Sequence, residues 1–334
     1  MSEVRAKKAL GQHFLVDLNI ARKICDALSG GVRPGTSAGE SAPADMAGNA
    51  GAGADTRVGT DGCADAGVGS LNGGGAGLAA GADARIAADT TAAGAPAAAE
   101  AGRGGAVPCD VLEVGCGMGV LTQFLLRRGD ITTYGAEIDP ESVEYLHAHY
   151  PEFTPRLMEG DFLKMNLRER FPGGLKIIGN FPYNISSQIF FKVLENRDLV
   201  PECVGMIQKE VAVRIAEPPG SKEYGILSVL LQAWYDIEYL FTVNETVFNP
   251  PPKVKSAVIR LRRNGVERLA CDETLFVKVV KASFGQRRKM IRNSLRAVFG
   301  DFGGAEHPFF TQRAEQLSVA DFVQLTDWVA ANRK

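Results

Sequence analysis

The segment with the clearest chemical potential is Asn180-Phe181-Pro182-Tyr183, which directly follows an apolar run at 175–179. The Asn180 side-chain oxygen and the Phe181 carbonyl are hydrogen-bond acceptors, and Tyr183 offers an aromatic face. Pro182 fixes the turn and removes a competing donor. Two acceptors and a ring suit a flat base that carries an amino group. The alternative is an Asn-Pro turn that ends a buried strand.

These four residues also predict a reaction. An adenine amino group is a poor nucleophile because its lone pair is delocalised into the ring. If Asn180 and Phe181 accept its two hydrogens, the nitrogen is drawn towards a tetrahedral geometry and the lone pair becomes localised. Transfer of a sulfonium methyl then depends on alignment within about 3 to 3.5 Å more than on a strong base. We therefore expect Asn180, Phe181, Pro182 and Tyr183 to support methyl transfer to a nucleobase amine.

A second set of groups stands at the ends of three earlier apolar runs. Gly115, Gly117 and Gly119 follow the first run, where missing side chains let a ligand approach the backbone. Glu137 ends the second and can accept hydrogen bonds from both ribose hydroxyls, and Asp161 follows the third and could accept from an adenine amino group. Singly, these groups also fit a tight turn, a solvated carboxylate and a helix cap. Their order favours S-adenosylmethionine over a dinucleotide, because no phosphate-anchoring charge accompanies the glycines.

Alternating strand and helix patterns must position these groups. Together they predict an α/β fold: a mostly parallel, Rossmann-like class I S-adenosylmethionine-dependent methyltransferase sheet, with ligands at the carboxyl ends of its strands. A small helical domain follows at the carboxyl end. Strands are predicted at 110–114, 132–138, 156–158, 175–179, 204–208, 236–243 and 257–262. Helices are predicted at 120–128, 141–149, 186–195, 226–235, 274–283, 287–299 and 320–331.

Residues 30–108 differ in composition from the rest of the chain. More than half are Gly or Ala and none is aromatic, so the segment cannot bury enough apolar surface to offset its ordering entropy. We predict a disordered insertion that acts as a linker, with a partner-binding segment as the alternative. The predicted domains are an amino-terminal segment packed on the catalytic domain (1–29), the insertion (30–108), the catalytic methyltransferase domain (109–263) and a helical RNA-binding domain (264–334).

The composition of the chain indicates where the protein is located and which partners and metals it binds. The net charge of the 334 residues is −2, but the insertion carries eight acidic and four basic side chains, so the rest of the chain is +2. The sequence has no long apolar run and no apolar signal region, which predicts a cytoplasmic protein without a membrane partner. The six cysteines lack metal-ligand spacing, so we expect reduced thiols and no metal.

Basic residues near the carboxyl end could contact RNA phosphates. Arg288, Arg292 and Arg296 recur every four positions of one predicted helix, and Arg287 and Lys289 lie beside the first of them. Such a row could bind the RNA backbone electrostatically. The alternative is an ordinary solvated face.

The chain resembles the KsgA-type ribosomal RNA adenine dimethyltransferases over nearly everything outside the insertion. Besides the motifs above, the resemblance rests on KALGQHFL at 8–15, NPPPKVKSAV at 249–258 and FGQRRK at 284–289. Three positions depart from many members of that family: His13 replaces Asn, Cys116 replaces Pro, and Phe181 replaces Leu.

The resemblance implies both a substrate and a set of site residues. The expected activity is transfer of four methyl groups to two adjacent adenosines in the 3′-terminal hairpin loop of 16S ribosomal RNA, within a small-subunit precursor, by a monomer. S-adenosylmethionine would contact seven residues: His13, Leu15, Gly115, Gly117, Glu137, Asp161 and Asn180. Two alternatives stay open: a large-subunit adenine methylase of the macrolide-resistance type, and a non-catalytic ribosome-assembly factor.

Overall fold

The computed structural model describes Val4, Ala6, Lys7 and the ranges 10–30 and 108–333. The predicted insertion therefore lies outside the described residues except for its two end positions, and so do Lys8 and Ala9 of the amino-terminal motif. None of the described helices is long and apolar enough to cross a membrane.

Strands supply the central layer of the fold. The strands of the described chain are β1 (Phe14–Leu15), β2 (Cys109–Val114), β3 (Ile131–Glu137), β4 (Leu157–Glu159), β5 (Lys176–Asn180), β6 (Glu202–Gln208), β7 (Tyr235–Val243), β8 (Phe248–Asn249) and β9 (Ser256–Arg263). Seven of them form one mixed sheet in the order β4-β3-β2-β5-β6-β9-β7. The strands from β2 to β6 run parallel to one another, and β9 is antiparallel to both of its neighbours, β6 and β7.

Helices connect the parallel strands and complete the carboxyl-terminal region. Those described are α1 (Leu18–Ala27), α2 (Thr122–Leu125), α3 (Pro140–His149), α4 (Leu167–Arg170), α5 (Ser186–Glu195), α6 (Lys209–Ala216), α7 (Ile226–Gln232), α8 (Glu273–Gly285), α9 (Ile291–Phe299) and α10 (Val319–Asn332). The chain proceeds from β2 to one side through β3 and β4, then returns to the other side with β5 and β6. The order thus reverses between β2 and β5, and such a switch point is where open α/β sheets bind ligands.

The amino-terminal segment packs on this sheet through α1. The Asp17 side chain accepts hydrogen bonds from two backbone N–H groups and caps the helix. Ala21, Ile24 and Cys25 are buried in one hydrophobic cluster with side chains of β2, β5 and β6. Just before α1, β1 pairs with β8, with Phe14 opposite Asn249. The segment before α1 is therefore placed at the carboxyl edge of the sheet.

A single hydrophobic cluster crosses the boundary predicted at 263 and 264. It includes Leu261 of β9, Phe276 of α8 and Phe322 of α10. Phe276 contacts the ring of Trp234, with centroids 6.0 Å apart. The carboxyl-terminal helices thus share a core with the sheet, and the domain boundaries themselves stay predictions.

Several elements differ from the sequence-based predictions. α9 begins at Ile291, so Arg288 lies in the preceding turn; the prediction that it shares one helical row with Arg292 and Arg296 is wrong. α6 was not predicted, because it is short and directly follows β6 without a loop. The pair β1 and β8 was also missed, since two-residue strands show no periodicity. α2 is only four residues long, shorter than the predicted helix.

Candidate active site

One cavity at the carboxyl edge of the sheet brings the predicted cofactor and base residues together. It is lined by His13 and Leu15, by the glycine turn after β2, by Glu137 and Asp161, and by the segment that follows β5. The predicted site residues among its lining are His13, Leu15, Gly115, Gly117, Glu137, Asp161, Asn180, Phe181, Pro182 and Tyr183.

Asn180 is held in one orientation by the amino-terminal segment. Its side-chain nitrogen Nδ2 donates a hydrogen bond to the His13 carbonyl oxygen over 3.0 Å. With the nitrogen committed in this way, the side-chain oxygen Oδ1 is left to accept from a ligand. His13 is fixed in turn, because its ring nitrogen Nδ1 lies 2.9 Å from the Pro250 carbonyl. His13 therefore acts on the site through its backbone, and its ring bonds to the 249–258 segment.

The Phe181 backbone provides the second acceptor. Its N–H donates to the Met206 carbonyl over 3.0 Å, which continues the pairing of β5 with β6. Among the described residues, none donates a hydrogen bond to the Phe181 carbonyl. The ring is buried in the core, and Gly179 and Gly205 make room for it: a Cβ atom at either glycine would lie within 2.8 Å of the ring. The larger side chain at position 181 is thus accommodated by missing side chains on β5 and β6.

Tyr183 presents a fixed aromatic ring. Its hydroxyl shares a hydrogen bond with the Ser256 hydroxyl at the start of β9. Its ring lies beside that of His13, with centroids 5.4 Å apart and planes tilted by 31°. Burial raises the pKa of Tyr183, so the phenol stays neutral. A neutral ring that is fixed by the Ser256 hydroxyl and packed beside His13 is a suitable surface on which a base can stack.

Glu137 combines burial with three backbone hydrogen bonds. The oxygen Oε1 accepts from the N–H groups of Ile138 and Asp139, both at 2.9 Å. The oxygen Oε2 accepts from the Gly117 N–H at 2.8 Å, which ties the glycine turn to the end of β3. Burial raises the pKa of Glu137, although the backbone donors oppose this shift. A carboxylate has about four acceptor positions, so Oε2 retains one for a ligand hydroxyl.

All three glycines in the turn adopt backbone conformations that other residues avoid. Gly115 has a φ of 77° and Gly117 a φ of 52°. A Cβ atom at Gly117 would also lie 3.1 Å from the Phe14 ring. The turn therefore needs glycine both for its backbone angles and for the close approach of the amino-terminal segment.

Asp161 performs the capping role that the sequence left open. Its oxygen Oδ1 accepts from the Leu163 N–H at 2.9 Å and caps a short 3₁₀ turn. The other oxygen, Oδ2, lies 3.8 Å from the Lys164 ammonium. The cap fixes the carboxylate at the cavity wall, so capping and ligand binding are compatible.

Sequence reasoning missed Asp139, which anchors the amino-terminal segment. Its fully buried carboxylate accepts from Lys7 and, at 3.2 Å, from the Gln12 side chain. Burial alone would raise the pKa of Asp139, but the hydrogen bonds from Lys7 and Gln12 bring it below its usual value. The signal was present as a second acid in Glu137-Ile138-Asp139.

Glu113, two residues before the glycine turn, was given no role from the sequence, and it does not line the cavity. This carboxyl group is buried near the end of β2, where it accepts a hydrogen bond from the Thr122 hydroxyl at 2.6 Å. Burial raises the pKa of Glu113 to about 8, and the nearby charge of Glu137 adds to the shift. Its signal was an acidic residue between the buried apolar residues Leu112 and Val114.

The predicted RNA-binding arginines are not part of the cavity lining. Three of them form ion pairs: Arg287 with Glu315 at 3.7 Å, Arg292 with Glu306 at 2.7 Å, and Arg296 with Asp301 at 2.9 Å. Arg288 and Lys289 are exposed. Within the described ranges, no group of three or more His, Cys, Asp or Glu could hold a metal ion.

The fold and the cavity define an S-adenosylmethionine-dependent methyltransferase of class I. The cavity fits this cofactor, because Gly115 leaves the backbone open and Glu137 keeps an acceptor for a ribose hydroxyl. The family model described as ribosomal RNA adenine dimethylase matches residues 108–331. The chain belongs to this family and is an S-adenosylmethionine-dependent ribosomal RNA adenine methyltransferase.

Curated relatives agree with this assignment, and a solved structure shares the fold. The "Ribosomal RNA small subunit methyltransferase A" of Bacteroides thetaiotaomicron is 60% identical over 221 residues, which cover 66% of this chain and 82% of the relative. A protein of the same name from Porphyromonas gingivalis is 46% identical over 330 residues, 98% of each chain, so that alignment extends through 31–107. A crystal structure of a dimethyladenosine transferase from Plasmodium falciparum shares the fold, with a TM-score of 0.57, 24% identity, and coverage of 67% of this chain and 90% of that chain.

Proposed function

We propose that this enzyme dimethylates the exocyclic amines of two adjacent adenosines in the 3′-terminal hairpin loop of 16S ribosomal RNA. The observation that carries the proposal is the hydrogen bond from Asn180 Nδ2 to the His13 carbonyl. It leaves Asn180 Oδ1 and the Phe181 carbonyl as two acceptors for one amino group. The names of the relatives support the small subunit as the substrate.

In the proposed reaction, residues of the cavity bind the target base and the cofactor supplies the methyl group. S-adenosylmethionine supplies an electrophilic methyl group on a sulfonium. The Asn180 side-chain oxygen and the Phe181 carbonyl oxygen accept hydrogen bonds from the two N–H groups of the amine and so localise the nitrogen lone pair. Tyr183 stacks on the adenine and holds its ring. With S-adenosylmethionine bound, the nitrogen would bond to the methyl carbon as the carbon–sulfur bond breaks and a neutral thioether leaves. The methylated amine would then release one proton to water, so alignment matters more than a strong base.

A second methyl transfer to the same nitrogen uses the same site with one hydrogen fewer. The singly methylated amine donates to only one of the two acceptors, and its methyl group takes the place of the other hydrogen. Hairpin-loop adenosines suit this process, because bases in a loop can leave the stack at little cost and re-enter the pocket.

We also propose that the natural substrate is a small-subunit precursor and that a single chain is sufficient. Every residue to which the proposal gives a role lines the same cavity, so the proposed chemistry needs no residue from a second copy.

Labelled methyl transfer to isolated ribosomal subunits tests this function. Small and large subunits from a strain that lacks the modification are incubated with the enzyme, and the modified nucleosides are mapped by mass spectrometry. We expect dimethyladenosine at two adjacent positions of the small subunit. Label confined to the large subunit would favour the macrolide-resistance type of methylase, and no label in either would favour a non-catalytic assembly factor.

A further inference from the structure

We propose that Lys209, Lys253 and Lys255 form a phosphate-binding rim that holds the RNA strand on either side of the target adenosine. This inference rests on the proposed function and adds to it the residues that grip the substrate backbone. The rim differs from the predicted arginine row, because it lies next to the catalytic cavity.

The loop that carries two of these lysines is fastened to the cavity at both ends. At its start, the Pro250 carbonyl lies 2.9 Å from the His13 ring. At its end, the Ser256 hydroxyl is hydrogen-bonded to the Tyr183 hydroxyl. His13 and Tyr183 both line the cavity. Lys253 and Lys255 are therefore placed beside the opening through which a base reaches Tyr183.

Lys209 joins the same rim from a second element. It is the first residue of α6, directly after β6 ends at the carboxyl edge of the sheet. Its N–H donates to the Lys255 carbonyl over 2.9 Å. In the sheet, Gln208 pairs with Ser256. The backbones of the two basic segments are thus fixed side by side.

The charges of the rim are available to a ligand. All three lysines are exposed, and among the described residues no acidic side chain lies within 4.0 Å of their ammonium groups. Arg292 and Arg296, in contrast, each contact a carboxylate. Exposed, unpaired ammonium groups bind phosphate without first giving up an ion pair. Val254, which is 46% exposed between the two loop lysines, adds an apolar contact for a ribose or base.

The chemistry of the rim favours a nucleic-acid backbone. A base inserted as far as Asn180 and Tyr183 leaves its own phosphate and the neighbouring phosphates at the cavity mouth. Lysine binds phosphate as a point charge, without the fixed geometry of arginine. The rim therefore holds the strand in place and leaves the choice of base to the cavity.

A charge-matched comparison tests the rim. K253Q/K255Q removes two rim charges, and K23Q/K278Q removes two exposed lysines that lie on α1 and α8, outside the rim. Affinity for the unmethylated small subunit is measured from 50 to 200 mM salt without cofactor, and methyl transfer is measured in parallel. Each lost phosphate contact lowers the slope of log K against log salt by about 0.7 to 0.9. We expect K253Q/K255Q to lower it by about 1.5 and to raise KM about tenfold, with kcat changed less than twofold.

The controls separate the possible outcomes. K253R/K255R keeps the charge and should keep the wild-type slope, and K209Q alone should lower the slope by about 0.7 to 0.9. S-adenosylmethionine affinity and Tm should be unchanged in every variant, because the altered side chains are exposed. The proposal would be overturned by an unchanged slope of log K against log salt in K253Q/K255Q. An equal decrease of that slope in K23Q/K278Q would also overturn it. If wild-type enzyme methylates a different ribosomal RNA, the proposed function fails, and the same variants are compared on that RNA.

Discussion

At the scale of single residues, the site depends on side chains that are already hydrogen-bonded before a substrate arrives. The side-chain nitrogen of Asn180 donates a hydrogen bond to the His13 carbonyl, and the Tyr183 hydroxyl is hydrogen-bonded to the Ser256 hydroxyl. Both groups are therefore held in the orientation that the reaction needs, without reorganisation when the base enters. The sequence predicted the acceptors and the ring. It could not predict their partners, which are distant in the chain.

The first residue-scale prediction concerns stacking by Tyr183. Tyr183→Ala should lower kcat/KM about ten- to hundredfold, because base–aromatic stacking contributes about 1–3 kcal/mol per base. Tyr183→Phe keeps the ring and loses only the hydrogen bond to Ser256. It should retain most of the activity in a steady-state methyl-transfer assay. A Phe variant as impaired as the Ala variant would mean that the hydroxyl, and not the ring, is what matters.

The second prediction concerns the pH dependence that Glu113 introduces. The pKa of Glu113 is raised from its ordinary 4.5 to about 8 by burial, so between these values the folded protein holds a proton that the unfolded chain has released. The free energy of unfolding should therefore fall as the pH rises from about 4.5 to 8. Glu113→Gln should remove more than about 1 kcal/mol of this fall, since one pKa unit corresponds to about 1.4 kcal/mol.

Thermal or urea unfolding at pH 5, 6.5 and 8 measures this effect. Glu152→Gln serves as the control, because Glu152 is exposed. The pH slope should flatten in Glu113→Gln and remain in Glu152→Gln. Identical slopes in wild type and Glu113→Gln would show that Glu113 is ionised throughout this pH range.

At the scale of elements, the candidate site residues lie at the carboxyl ends of the strands, and a buried ion pair joins two strands at their opposite ends. Lys176 at the start of β5 and Glu202 at the start of β6 are both buried, with the ammonium 3.0 Å from the carboxylate. Ser29, just after α1, bonds to both side chains. This cluster joins the end of the amino-terminal segment to the sheet, at the edge opposite the cavity.

The third prediction breaks this cluster. Lys176→Met should lower the free energy of unfolding by at most about 3–5 kcal/mol, because it removes the buried partner of the Glu202 carboxylate and leaves only the partly exposed Arg262, 3.6 Å away, to pair with it. Burial alone would raise the pKa of Glu202, and in wild type Ser29 and Lys176 lower it. Without Lys176 that pKa rises, so the loss of stability should be smaller at pH 5 than at pH 8 in urea titrations. The double variant Lys176→Met/Glu202→Gln should recover part of the lost free energy of unfolding. A free energy of unfolding in Lys176→Met within 1 kcal/mol of wild type would show that the ion pair does not stabilise the fold.

Sequence patterns predicted long elements better than short ones. The apolar runs of β2, β3 and β5 and the helical period of α5 and α10 were found to within one or two residues. The antiparallel pairing of β1 with β8 was not found, because two residues carry no period and the paired residues are 233 and 235 positions apart. That contact places His13, so the missing short element is also the one that orients Asn180.

At the scale of the whole molecule, the segment 31–107 interrupts the catalytic unit in the sequence, between α1 and β2. The family model matches only residues 108–331, and α1 precedes the segment. The predicted disorder of this segment lies outside the described residues. The sequence predicted only a linker, because the composition of the segment offers neither an apolar pattern nor a chemical motif.

The fourth prediction is that deletion of residues 37–101 leaves methyl transfer within about twofold of wild type. Shortening a loop from about 80 to about 10 residues lowers the closure entropy cost by about 2 kcal/mol, so Tm should be unchanged or slightly higher. Activity on small subunits and thermal unfolding check both statements. Loss of folding or of methyl transfer would show that the segment is more than a linker.

The account rests most directly on Asn180, and one measurement tests it: methyl transfer to unmethylated small subunits by Asn180→Ala, with particle binding measured on the same samples. The variant loses one of the two acceptors of the amine and should lower kcat about 10²- to 10³-fold, as the loss of one aligned hydrogen-bonding group does in other active sites. Particle binding should stay within a factor of about two, because the phosphate contacts lie outside the cavity. Methyl transfer at the wild-type rate would contradict the proposed mechanism.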